Sequence, residues 1–218
     1  MCFSMEASFT SGVILSTIGV VAINKVHTPA QTAFASVPLV FGIQQFAEGT
    51  VWLALSHPDY AHLQQWGTYA FLFIARVLWP VLMPLAVLMM EKDDRRIRIL
   101  RVMLGMGAVV GLYYIYCLLF LSVTPQIMDH HIQYISDFPR STADIVFLIY
   151  VIAAIPPLFI SSMKRTRLLG LLMLLSCIIT GIFYVEYLTS VWCFFAALVS
   201  VVVLWIVKEK PSTMDNEQ

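Results

Sequence analysis

The sequence predicts an all-α fold: a polytopic membrane protein of seven transmembrane helices, with the N-terminus outside and the C-terminus cytoplasmic. Three observations predict it. Of the 218 residues, 60% are hydrophobic and 12% charged, whereas a soluble domain carries about 25% charged residues. The apolar residues also fall into runs long enough to cross a hydrocarbon core about 30 Å thick. Finally, the basic residues alternate in a way that only seven spans accommodate. The loops after helices 1, 3 and 5, with the C-terminal tail, hold Lys25, Lys92, Arg95, Arg96, Arg98, Arg101, Lys164, Arg165, Arg167, Lys208 and Lys210. The N-terminus and the loops after helices 2, 4 and 6 hold only Arg140. Basic loops stay in the cytoplasm, which sets the orientation.

The helices are expected at about 7–24, 34–56, 66–90, 99–123, 142–160, 168–188 and 190–207, so that 1–207 is one transmembrane domain and 208–218 a polar cytoplasmic tail. Helix 1 starts after Ser4 and Glu6, residues that suit a helix start. Ser8, Gly12 and Ser16 then form a small-residue face that permits close helix approach. The first apolar run lacks a basic leader and a small-residue cleavage site, so it reads as a retained helix. Helix 2 carries Gln44, Gln45 and Glu48 in the middle of an apolar run. Helix 3 contains Arg76, Pro80 and Pro84. Helix 4 has a GxxxG step at Gly107 and Gly111, which allows packing within or between subunits, and Tyr113, Tyr114 and Tyr116 crowd its second half. A long loop follows, 124–141, containing Asp129-His130-His131. Helix 5 has Asp144 at its start and Pro156-Pro157 near its end, and helix 6 ends with Glu186 between Tyr184 and Tyr187.

Glu48 and Arg76 set the functional question. Both lie roughly 12–15 Å from the outer end of their helices at about 1.5 Å per residue. A charge at that depth needs a partner. Adjacent antiparallel helices bring the two to one level, and Gln44 and Gln45 stand one turn from Glu48, where an amide braces a carboxylate. Pro80 lacks an N–H, so the carbonyl of Arg76 is expected to lose its helical donor. A kink beside an arginine predicts a cavity, since free carbonyls at mid-depth need protein or water.

Three classes of function follow. The first is binding or transport of a small ligand or ion through an outward-facing polar cavity centred on Glu48 and Arg76, with Gln44, Gln45, Asp144 and Glu186 as further ligand-binding candidates. The second is a membrane enzyme. Its weak catalytic candidate is Cys2, a thiol beside an amine if Met1 is removed. Its weak metal candidates are Asp129, His130 and His131. The third is a structural or assembly protein in which the Glu–Arg pair only fixes helix register. The four cysteines form no CxxC pair. The zero net charge gives no reason to expect a nucleic-acid partner, and no residue pattern specifies a cofactor. The expected partners are the lipid bilayer and a small molecule or ion, and small-residue faces leave oligomerisation open.

The opening Met1-Cys2-Phe3-Ser4, with Gln44-Gln45-Phe46-Ala47-Glu48-Gly49 in helix 2, resembles an uncharacterised bacterial family of seven-helix integral membrane proteins whose domain has no known function. The resemblance implies seven helices and a multi-pass protein of the bacterial inner (plasma) membrane. It implies no mechanism. Rhodopsins, by contrast, need a lysine in helix 7, and the ceramidase-like hydrolases need a histidine pair in a late helix; neither is present.

Overall fold

The computed structural model describes residues 4–128, 131–183 and 199–207. Helix dominates. α1 is Met5–Asn24, and Ser4 caps it by accepting the Ala7 N–H at 3.2 Å. Its buried positions, Ser8, Ser11, Gly12, Leu15, Gly19 and Ala22, recur every three or four residues and form one face. α2 is Val37–Ser56, with Pro38 in its first turn, where the missing N–H costs nothing. The two helices pack almost backbone to backbone. A Cβ on Gly42 would overlap the Ser16 Oγ and stand 2.8 Å from the Ser16 nitrogen. The expected small-residue face of helix 1 is thus the α2 contact.

α3 is a composite, Pro58–Met90. It begins as a 3-10 turn over Pro58–Leu63, is α-helical over Gln64–Leu72, widens to a π turn over Phe73–Leu78, and resumes as α-helix over Trp79–Met90. α4 is Asp94–Phe120. It begins earlier than expected because Asp93 caps it, accepting the Arg95 and Arg96 N–H groups at 3.0 and 2.9 Å. The basic cluster at 95–101 therefore lies on the first turns of a helix. Gly107 packs on α3 of the same chain: a Cβ there would overlap the Pro80 carbonyl oxygen. Pro84 cannot donate to that carbonyl, so its oxygen is free to point at the neighbouring helix. The GxxxG step serves packing within the chain.

The loop expected at 124–141 is instead largely a hairpin. β1, Val123–Met128, pairs antiparallel with β2, His131–Ser136, in the register Val123↔Ser136 to Met128↔His131. Ile132 lies in a buried cluster with Val51 and Trp52, and Tyr134 stacks on Phe71 with ring centroids 5.1 Å apart. Two strands alone are marginal; these are held by the helix ends beneath them.

α5 is Arg140–Ile160, interrupted where Pro156 and Pro157 restart it. α6 is Lys164–Phe183, and 199–207 is helical and labelled α7. The main apolar cluster draws on α1 through α7, from Leu15 and Phe34 to Leu158, Val203 and Ile206. Away from it, α4 exposes Val102, Val109, Leu112, Tyr116, Leu119 and Phe120 along one stripe, each more than half exposed. An apolar stripe of that length is at home in lipid. Among the described residues, five helices are long and apolar enough to cross a membrane: α1, α3, α4, α5 and α6. α2 is as long as α1 but carries Gln44, Gln45 and Glu48.

At the basic end, two turns are locked together. Glu91, after α3, accepts the N–H groups of Lys92, Asp93 and Ser162 at 2.9, 3.1 and 2.7 Å, and the Ser162 hydroxyl at 2.5 Å. Arg96 donates to that hydroxyl at 2.9 Å. Nearby, Arg165 lies 4.0 Å from the Trp205 ring and donates to its carbonyl, joining α6 to α7.

Candidate functional site

The π turn of α3 sets the geometry of the site. Trp79 donates its N–H to the Ile74 carbonyl, five residues back. In that register the donor for the Ala75 carbonyl is residue 80, a proline without an N–H. The freed carbonyl is therefore that of Ala75, where an unbroken α-helix would have freed that of Arg76. Tyr150 of α5 fills the gap, donating its hydroxyl to the Ala75 oxygen at 2.8 Å. Sequence reasoning located the break and missed its one-residue shift. Tyr150→Phe leaves this buried carbonyl without its side-chain donor. It should cost about 1–3 kcal/mol, read as a lower melting temperature in detergent with the helical circular dichroism unchanged.

Beside this turn is a cavity of about 600 Å³. α2 contributes Phe41 and Gln44, α3 Arg76 and Trp79, α4 Tyr113 and Tyr114, and α5 Asp144 and Tyr150, while the end of the hairpin and the segment to Arg140 close one side. The walls are tied to each other. The Trp79 indole N–H donates to Gln44 Oε1 at 2.8 Å, and its ring stacks on Phe41 at 4.0 Å. The Tyr113 hydroxyl meets Thr142 Oγ1 at 2.8 Å, joining α4 to α5. The Arg76 guanidinium carbon lies 5.5 Å from the Tyr114 ring centroid and 5.2 Å from that of Phe138, within cation–π range.

Three of the expected site residues, Gln44, Arg76 and Asp144, meet at this cavity. Glu48 and Gln45 do not line it. They are buried at 0% and 1% exposure, and Gln45 Nε2 donates to Glu48 Oε2 at 3.2 Å. The amide brace expected within helix 2 is present. The Glu48–Arg76 ion pair is not formed: Arg76 turns to the two rings. Shared depth did not mean shared direction.

Cys2, Asp129, His130 and Glu186 lie outside the described residues. His131 is 9% exposed within β2, and among the described residues no group of three His, Cys, Asp or Glu side chains stands close enough to hold a metal. The residues missed from sequence are Phe138, Arg140 and Tyr150 as cavity walls. The tyrosine cluster of helix 4 was the one available signal for that wall; nothing local marks Phe138.

The full chain, residues 1–218, matches the family of unknown function DUF6629, and the chain belongs to that family. No curated protein and no solved structure matches it.

Proposed function

We propose that this member of DUF6629 is a multi-pass protein of the bacterial inner membrane that binds a small ligand in the cavity beside Arg76. Seven spans, an outside N-terminus and a cytoplasmic C-terminus complete the reading. The alternation of basic residues supports them, with α2 and the stretch through 199–207 supplying the two spans beyond the five most apolar helices. In this orientation the hairpin end of the cavity faces outward and the Glu91–Ser162 lock faces the cytoplasm.

One observation carries the binding reading. A cavity of small-molecule size brings three charged side chains, Arg76, Arg140 and Asp144, together with an aromatic lining. Pockets that bind small molecules have this makeup, an apolar lining with a few convergent polar groups, and span about 300–1,000 Å³. Transport through the cavity is the further step of this proposal. Glu48 has a separate role here. Full burial away from the cavity favours the register-fixing role for Gln45–Glu48 in packing α2.

The test is ligand-induced stabilisation of protein in nanodiscs, with a chemically mixed library of small acids, bases and neutral compounds. At least one compound is expected to raise the melting temperature of the wild type by about 2 °C or more. Ala143→Trp, which fills the cavity from an exposed helix position, should abolish that shift. Stabilisation that survives Ala143→Trp, or none from any compound, would overturn the reading.

A further inference from the structure

The charge and the geometry around Arg76 name the class of ligand, given that the cavity binds one. A guanidinium offers five N–H donors in a planar fork. The partners of Arg76 among the described residues are two aromatic rings, Tyr114 and Phe138. Rings engage the cation through their π faces and accept none of the in-plane hydrogen bonds a carboxylate would. Asp144 lines the same cavity, yet it forms no salt bridge with Arg76. The fork is therefore open toward the cavity among the described residues. An arginine within a membrane span without a counter-ion is costly, and such residues mark ligand pathways.

The cavity's formal charge points the same way. Among the described residues its charged lining is Arg76, Arg140 and Asp144, which leaves one positive charge over. The rest of the wall is largely aromatic and aliphatic, with Trp79 and Phe147 among the larger surfaces. A bare inorganic anion would leave most of that wall without contact. We propose that the cavity takes a monoanionic organic acid. The carboxylate engages the edge of the Arg76 guanidinium through paired N–H donors, and the apolar body lies along the Trp79 side. Such an acid could be water-borne, like a small aryl carboxylate, or lipid-borne, like a fatty acid. The recognition chemistry is the same.

Calorimetric titration of the wild type in zwitterionic nanodiscs tests this with 3-phenylpropionate, its neutral amide 3-phenylpropionamide, and decanoate. The acid is expected to bind at least tenfold more tightly than the amide, the range expected for a charge-assisted pair. A stronger signal from decanoate than from phenylpropionate would support the lipid-borne source, and the reverse the water-borne one. Arg76→Gln should bring acid and amide to equal, weak binding, and Arg76→Lys should fall between, since it keeps the charge without the fork. Equal binding of acid and amide to the wild type overturns the proposal and leaves the cavity a ligand site, provided Ala143→Trp removes both. An acid preference that persists in Arg76→Gln also overturns it. No binding of either compound overturns it together with the binding reading on which it rests. The wild-type acid and amide comparison requires no variant to fold.

Discussion

Gly107→Ala is expected to destabilise the folded bundle by about 3 kcal/mol, and Gly107→Leu by more. A Cβ on this residue would overlap the Pro80 carbonyl oxygen and come within 2.7 Å of the Pro80 carbonyl carbon. Backbone cannot step aside as a flexible side chain can. Either α4 retreats from α3 or the Pro80 carbonyl rotates, and both displace the π turn that carries Arg76. The measurement is a thermal or denaturant melt in detergent, compared with Gly105→Ala. Gly105 lies two residues away, about half a turn around the helix, with nothing near its Cβ position, so its alanine variant should be neutral or slightly stabilising by helix propensity. Equal behaviour of the two variants would show that the α3–α4 contact is looser than described.

The second large effect is at Glu91. Glu91 is 8% exposed, and its carboxylate accepts four hydrogen bonds. Glu91→Ala leaves those donors with no acceptor and unlinks the turn after α3 from the turn before α6. A loss of about 3 kcal/mol is expected. The group also predicts a pH dependence. Burial pushes the Glu91 carboxyl up, but the Ser162 hydroxyl and the N–H groups of Asp93, Ser162 and Lys92 together pull it below the ordinary glutamate value. A depressed folded-state value means that the unfolded chain binds the proton first as pH falls. The stabilisation is fully present above the unfolded-state value and is lost as pH drops through the lower folded-state value. Wild-type melts should therefore weaken below about pH 4.5, and Glu91→Gln should flatten this acid limb. An unchanged limb in Glu91→Gln would assign the acid sensitivity to other carboxylates.

What the sequence made legible was everything periodic. Hydropathy placed the helices, and Ser4 and the small residues of α1 announced a cap and a contact face. The proline pair of α5 marked its break. The hairpin was hidden because Pro125 sits inside β1, where a proline argues against a strand. With only two strands, Pro125 has no second neighbour to fail, and what holds the hairpin is long-range: Ile132 by Val51 and Trp52, and Tyr134 on Phe71. Such contacts have no local signature. Half of the site was legible. Depth along an axis follows from counting residues, and that put Arg76 and Gln44 at the level of the cavity. Direction around the axis does not follow once a helix leaves its 3.6-residue turn. The π turn begins three residues before Arg76 and breaks that count, and the Glu48 partnership inferred from depth was not met.

That turn also acts as a phase coupling. Each residue in an α-helix advances about 100° around the axis, so one extra residue per turn rotates everything beyond it by about that angle. The two ends of α3 thereby address different neighbours. The end before the turn presents Phe71 to Tyr134 of the hairpin, and the end after it presents Pro80 to Gly107 of α4. A uniform helix would have to satisfy both from one continuous stripe. With the offset, the contact with the hairpin and the contact with α4 can vary in sequence separately, while Arg76, seated at the splice, stays in register with each.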